Sequence, residues 1–361
     1  WETRVNNATR AGMVLGALTL VVAGLLLAPA CGGGRTGQSS SGAAAGEQGA
    51  QPGGKELPPA KLSLVAYSTP KEAYERLIKA FNETPEGRNT TLRQSYGASG
   101  DQSRAVESGL TADIVSFSLE PDMTRLVKAN LVPQDWNQGP QRGMVTDSVV
   151  VFVVRKGNPQ QVRTWQDLAR PGVEVLTPNP FTSGGARWNV MAGYGAASNG
   201  GRDDRKGVEY LHMLFRNVKV QDETARKSLQ TFTTGKGDVM VAYENEAIFA
   251  QRAGQPIDYV VPDQTILIEN PVALTTAGRS KPQAQAFLSF LLSPKGQEIF
   301  AASGYRPVLP GVSGANRFPR PSGLFTIADL GGWPKVATTF FDPGKGIMAE
   351  VESSIGVSVG H

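Results

Sequence analysis

The chain holds one cysteine, Cys31, and two histidines, His212 and His361. A single thiol excludes an intrachain disulfide, and so few thiols and imidazoles exclude a Cys/His metal cluster. No metal and no cofactor is expected. Charge of one sign is also missing. The 36 Lys and Arg are set against 32 Asp and Glu, a formal net charge of +4, with no dense basic run. Nucleic acid is therefore not an expected partner. Apolar runs are short: the stretch from Met13 to Ala28 falls below the ~20 residues of a membrane span. Catalytic signatures are poor. The run Gly97-Ala98-Ser99-Gly100 falls short of a nucleophile elbow, and "TTGKGD" lacks the spacing and hydroxyl residue of a P-loop. His212, in "YLHMLF", reads as a packed core histidine rather than a general base. Asp203 and Asp204, in "SNGGRDDRKG", read as a solvated loop. The chain is not expected to be an enzyme.

What is present begins with a leader. Arg4 and Arg10 precede the apolar run, and small residues close it before Cys31, the layout of a secretory signal. "LLLAPAC" resembles a lipobox, with Ala28 and Pro29 as departures, and puts Cys31 where a bacterial lipoprotein is cut and acylated. The other reading is an uncleaved anchor helix with an incidental cysteine. Both put the folded part outside the cytoplasm. Residues 1–31 are thus assigned to the signal. Residues 32–60 are rich in Gly, Ser, Ala, Gln and Pro, too polar and too small in side chain to bury a core, and read as a flexible tether.

From Lys61 strand and helix patterns alternate. "KLSLVAY" alternates as a strand. Ala73, Tyr74, Leu77, Ile78 and Phe81 share one helix face. "ADIVSF", "VVVFVV", "VEVLTP", "DVMVAY" and "IDYVVP" read as further strands, and the continuous run from Val149 to Val154 as one covered on both faces. Ala284, Phe287, Leu288 and Leu291 mark a helix, and Ser293 caps another that begins at Pro294. The alternation predicts an α/β fold with mostly parallel sheets.

Three places share one order: strand end, small-residue loop, helix start. They are "SYGASGDQSRAV", "PNPFTSGGARW" and "QDETARKSLQTF". Each leaves unpaired amides at the positive end of a helix dipole, where an anion binds. In the second, Gly184 and Gly185 leave the backbone bare in the first turn.

These segments carry a resemblance. "NPFTSGGARWN", "VFVVRKGNP", "GDVMVAYENEA" and "LSPKGQEI" are similar to segments of the sulfate-binding proteins of bacterial ABC importers, in the sulfate and thiosulfate branch, over nearly everything from Lys61 to "LFTIADLGGWPK". The resemblance implies a two-lobe periplasmic binding protein-like fold of type II, each lobe a mostly parallel sheet flanked by helices, hinged by crossing strands. Lobe one is then expected at 61–150 and 264–361 and lobe two at 151–263, with "VVVFVV" and "ILIENPVALTT" carrying the crossovers. It also implies a ligand site: amides of Ser68, Ser99, Gly184, Gly185 and Ala225, the Ser183 hydroxyl, and Tyr243 where the family usually has tryptophan. Phe181 replaces the usual lysine, Ser68 an aspartate, and Asp101 a lysine beside the first loop. The expected partners are sulfate or a related oxyanion, the permease subunits of an ABC transporter, and the membrane through a lipid anchor; the protein is expected to act as a monomer.

The chemistry agrees with sulfate. Sulfate accepts hydrogen bonds and donates none, and amides and hydroxyls are donors. At ~1.5–3 kcal/mol for each bond to a charged group, about half a dozen give on the order of 10 kcal/mol before ordering costs. Micromolar binding needs ~8 kcal/mol. Hydrogen phosphate would bring a donor that needs an acceptor; Asp101, Asp222 and Glu223 lie near enough in sequence to keep phosphate open. Thiosulfate and molybdate stay open as well. An extracytoplasmic ester hydrolase would need a base beside a nucleophilic serine, and none is evident.

Overall fold

The computed structural model describes residues 54–357. The expected signal, Cys31 and most of the tether lie outside the described residues. The first elements are β1 (Ala60–Tyr67), α1 (Lys71–Phe81), β2 (Thr90–Gly97), α2 (Ser99–Glu107), β3 (Ile114–Ser116) and α3 (Glu120–Lys128). The long β4 (Met144–Arg155) is followed by α4 (Trp165–Leu168), β5 (Val175–Pro178), α5 (Gly184–Ala197), α6 (Asp204–Asn217) and β6 (Val218–Asp222). Next come α7 (Ala225–Thr233), β7 (Val239–Tyr243), α8 (Glu244–Arg252) and β8 (Ile257–Val260). A second long strand, β9 (Gln264–Leu274), leads to α9 (Thr276–Arg279), α10 (Pro282–Leu291) and α11 (Pro294–Ala302), then β10 (Gly323–Phe325), α12 (Gly332–Phe340) and α13 (Ile347–Ser354).

The strands run in the order β2-β1-β3-β9-β4-β7-β5-β6, with β10 on β9 and β8 on β4. The order reads as two similar halves. In the first, β1 lies parallel between β2 and β3, and β9 closes the half antiparallel to β3. In the second, β5 lies parallel between β6 and β7, and β4 closes it antiparallel to β7. The expected mostly parallel character therefore holds within each half. The antiparallel additions are β8, which pairs with β4, and the two crossing strands, which pair with each other between Met144–Val149 and Leu267–Pro271. These are the strands expected to carry the crossovers.

Burial explains the apolar patterns. The expected face of α1 is the buried one. In β4, Val149, Val151 and Val153 pack with Leu229, Phe232 and Met240, while Val150, Phe152 and Val154 pack with Trp165 and Trp188. A strand alternates its side chains between faces, so an unbroken apolar run is what a strand covered on both sides requires. Each such side chain contributes about 1.5–3 kcal/mol on burial, which holds this crossing strand firmly. In α11 the Ser293 side chain accepts from the Gly296 amide, with Pro294 in the first turn, as expected.

Three expectations are corrected. His212 is half-buried, and its Nδ1 lies 3.4 Å from Ser354 Oγ of α13; the core face of α6 is Gly207, Tyr210, Leu211, Leu214 and Phe215, a spacing that leaves His212 at the flank. Asp203 and Asp204 are not a free loop: Asp203 caps α6 by accepting from Lys206 N, and Asp204 accepts from the Tyr194 hydroxyl at 2.5 Å. The segment from about 323 onward does not stay with the first half. Trp333 packs edge-on against Trp188 at 4.7 Å, Phe340 against Tyr194 at 4.6 Å, and Glu352 accepts from Gln221 of β6. The apolar faces of α5 and α6 need a cover, and α12 and α13 supply it.

One carboxyl sits on the crossing strands. Asp147 of β4 faces Glu269 of β9 across the ladder. Burial, and next the Glu269 charge, push the Asp147 carboxyl up to about 7, against Arg306 and Arg142. The folded protein thus holds this proton more tightly than the unfolded chain. The resulting stability is full below about pH 4, the ordinary carboxylate range, and is lost as pH rises through about 7. We expect Asp147→Asn to raise the melting temperature by about 2 °C at pH about 8 and by little at pH about 5, measured by thermal unfolding across pH.

Candidate anion-binding site

The sheet collects its loops at the carboxyl ends of the strands, the usual ligand position in open α/β sheets. Ser68 follows β1 directly. Ser99 is the first residue of α2 after β2, with Ala98 as an extended N-cap that offers no side-chain hydrogen bond. Ser183 is the N-cap of α5, extended, and its hydroxyl makes no capping hydrogen bond. Gly184 and Gly185 form the first turn behind it. Ala225 opens α7 after Thr224, whose side chain caps Lys227 N at 3.1 Å. Tyr243 ends β7. The first-turn amides of α2, α5 and α7 have no partner within their own helices.

Contacts bring these residues together. A Cβ placed on Gly185 would stand 3.5 Å from Ser183 Oγ, 3.5 Å from Tyr243 Cε1 and 3.6 Å from Ala225 Cβ. Gly185 therefore faces those three residues. A Cβ on Gly184 would stand 2.8 Å from Cβ and Oγ of Ser118 and from Leu119 Cδ2, so the first turn of α5 lies directly on the loop after β3. Gly100 N donates to Thr182 O at 3.3 Å, joining the starts of α2 and α5. Asn179 N donates to Asp222 O at 2.8 Å, and Thr182 Oγ1 to Glu223 O at 2.9 Å, joining the starts of α5 and α7. Ser68 enters through its neighbour: Thr69 O accepts from Arg226 Nη2 at 3.0 Å, and Arg226 follows Ala225.

The carboxylates around the cluster are spent on other partners. Asp101 is ion-paired with Arg104, which answers the charge that the sequence put beside the first loop. Asp222 accepts from Ser228 and Thr231 of α7. Asp122, buried, accepts from Ser99 Oγ at 2.6 Å; burial raises its carboxyl, while the Arg187 charge and that hydrogen bond oppose the rise. Since Ser99 Oγ also accepts from Ser118 N at 2.9 Å, the Ser99 hydroxyl is committed and its amide is what remains. Tyr243 is fully buried, and burial raises its phenol well above the ordinary range, so it stays a neutral hydroxyl.

Sequence reasoning missed two groups. Ser118 has its Oγ 2.6 Å from the Tyr243 hydroxyl, and its carbonyl accepts from Trp188 Nε1 and Asn270 Nδ2. "IVSFSLEP" repeats the strand-end, serine, helix-start order; it escaped because its amide turns inward to Ser99 rather than opening a helix. The second group is Arg226. Its guanidinium meets Glu72 of α1 and Glu246 of α8, with Nη2 2.9 Å from an oxygen of each. It links the two halves of the sheet beside the site. One further string, Gly356-Val357-Ser358-Val359-Gly360, fits G-x-S-x-G. It follows α13 rather than a strand, so the strand–turn–helix context of a nucleophile elbow is missing, and residues 358–361 lie outside the described residues. Among the described residues no group of three His, Cys, Asp or Glu could hold a metal, and no helix is long and apolar enough to cross a membrane.

A mixed α/β sheet halved by two crossing strands, with helix starts tied together at the strand ends, is the architecture of a solute-binding protein. The chain belongs to the bacterial extracellular solute-binding protein family, whose sequence pattern matches residues 62–306. It is 39% identical over 336 residues, 90% of this chain and 92% of the relative, to the sulfate-binding protein of Synechococcus elongatus. It is 34% identical over 306 residues, 81% of this chain and 92% of the relative, to the thiosulfate-binding protein of Pseudomonas aeruginosa. The structure of the sulfate-binding protein SubI from Mycobacterium tuberculosis superposes with a TM-score of 0.75 at 45% identity, covering 78% of this chain and 99% of that one. The family binds solutes and does not catalyse.

Two predictions follow from these contacts. Arg226→Met leaves Glu246, 1% exposed in its side chain, as an unpaired buried charge; we expect a loss of about 3 kcal/mol in denaturant unfolding, most of it recovered by adding Glu246→Gln. Gly185→Ala meets only ordinary contacts, so the fold should survive, but its methyl would stand among Ser183, Ala225 and Tyr243. Anion affinity should fall at least about tenfold with an unchanged melting temperature of the ligand-free protein.

Proposed function

We propose that the protein captures inorganic sulfate outside the cytoplasm and delivers it to the permease of an ABC importer. The observation that carries this reading is the Ser183 N-cap: its hydroxyl makes no capping bond, and the bare amides of Gly184 and Gly185 stand behind it. A serine at that position normally bonds back to its own helix. Here the hydroxyl is left for a ligand, and the starts of α2 and α7 are tied alongside. A dianion is then met by the amides of Ser68, Ser99, Gly184, Gly185 and Ala225 and the hydroxyls of Ser183 and Tyr243. Donors and helix dipoles suffice without a buried arginine on the ligand. The names of the relatives in Synechococcus and Mycobacterium support sulfate as the ligand.

The two sheet halves act as two lobes that close about β4 and β9. Residues 61–150 and 264 to about 322 form one lobe; 151–263 and the segment from about 323 form the other. Cys31 is the acylation site, and the stretch between it and the residues that dock before β1, where Gln283 donates to the Pro58 carbonyl, is the tether that lets the receptor reach its permease from a lipid anchor. The protein works as a monomer.

The test is calorimetric titration of ligand-stripped protein with sulfate, thiosulfate, molybdate and phosphate. Micromolar or tighter binding of sulfate, with one anion per chain, is the expected result. A higher affinity for thiosulfate or molybdate moves the substrate and keeps the mechanism. No binding of any of the four overturns the reading.

A further inference from the structure

We infer that the Ser118–Tyr243 hydroxyl pair makes this site tolerant of a protonated tetrahedral oxyanion, such as hydrogen phosphate, beside sulfate. This rests on the anion site proposed above.

Both residues are 1% exposed, and their oxygens lie 2.6 Å apart. They reach each other from opposite halves of the sheet: Ser118 from the loop after β3, Tyr243 from the end of β7. The pair lines the helix start on two sides. Ser118 Oγ would be 2.8 Å from a Cβ on Gly184, and the Tyr243 ring edge 3.5 Å from one on Gly185. The Asn270 side chain donates to the Ser118 carbonyl at 3.0 Å and holds that loop in place.

An amide N–H donates and never accepts. A ring of amides therefore rejects any oxyanion that brings its own proton, because that proton is buried without a partner. A hydroxyl pair behaves differently. It holds two protons and two acceptor oxygens, and its mutual bond uses one proton and one lone pair. Toward a fully ionised anion the pair presents its remaining proton. Toward a protonated anion it turns that proton aside and presents an oxygen. Burial keeps Tyr243 neutral, so both orientations stay available at neutral pH. The nearby carboxylates are turned to other partners: Asp122 to Ser99, Asp222 to Ser228 and Thr231, and Asp101 to Arg104, while Glu223 is exposed.

The experiment is a competition titration on the ligand-stripped protein, sulfate against inorganic phosphate at pH about 7, for the natural protein and for the double variant Ser118→Ala/Tyr243→Phe. Removing both partners of a buried hydrogen bond in favour of apolar groups of the same shape costs little stability, so the double variant is expected to fold, and its melting temperature checks this. In the natural protein phosphate should displace sulfate measurably. In the double variant sulfate loses one donor among several and should bind more weakly, while phosphate loses its acceptor and buries an unpaired proton, so phosphate should no longer displace sulfate measurably. Tyr243→Phe alone keeps the Ser118 oxygen and should shift the ratio less. A pair that merely fastened the two halves together would weaken both anions equally; an unchanged ratio overturns the inference. So does failure of phosphate to displace sulfate in the natural protein. If the natural protein binds no sulfate, the site itself fails, and this inference with it.

Discussion

The structure turns on a distance that only glycine permits. The start of α5 lies so close to the loop after β3 that a Cβ on Gly184 would fall 2.8 Å from the Ser118 side chain. Side-chain carbons do not approach that closely. With glycine there, two elements from opposite halves of the sheet meet, and the first-turn amides of α5 come to face α2, α7 and the end of β7. The proposed anion site is the space left between them. The bonds from Gly100 to Thr182, from Asn179 to Asp222 and from Thr182 to Glu223 hold the three helix starts in register with one another.

Charge is handled by separation. Arginines and carboxylates surround the site in closed pairs: Arg226 with Glu72 and Glu246, Arg104 with Asp101, Arg306 with Glu244. What remains at the centre is neutral and donor-rich. That division suits a fully ionised ligand, because the buried carboxylate of Asp122 takes only the Ser99 hydroxyl and leaves the amides, and no fixed cation has to be desolvated when the site is empty. Arg226 shows the second use of such pairs. It spans from α7 to α1 and so ties the two halves together.

Much of this was legible in the sequence because the signals were local. Alternation and helical spacing gave β1, α1, β4, β7 and α10. A serine before bare glycines gave the start of α5, and the same order gave α2 and α7. Where the reading failed, the deciding contact lay far along the chain. His212 looked like core because its neighbours are apolar, but the spacing of the buried face passes it by. Asp203 looked like loop, yet it caps a helix. The last 30 or so described residues looked like a continuation of the first half, but Trp333 and Phe340 find their partners on α5. Ser118 carried the right local order and was passed over because its role is set by Tyr243, 125 residues away.

The sequence by itself determined the α/β class, the strand-end and helix-start grammar and the donor character of the proposed site, because each depends on spacings of a few residues. Tertiary structure alone decided which donors remain free. Ser99 loses its hydroxyl to Asp122, Ser183 keeps its own, and Tyr243 gains a hydroxyl partner, each through a neighbour brought in by the fold. Hydrogen-bonding capacity is a property of residue type. Whether it is already spent is a property of packing.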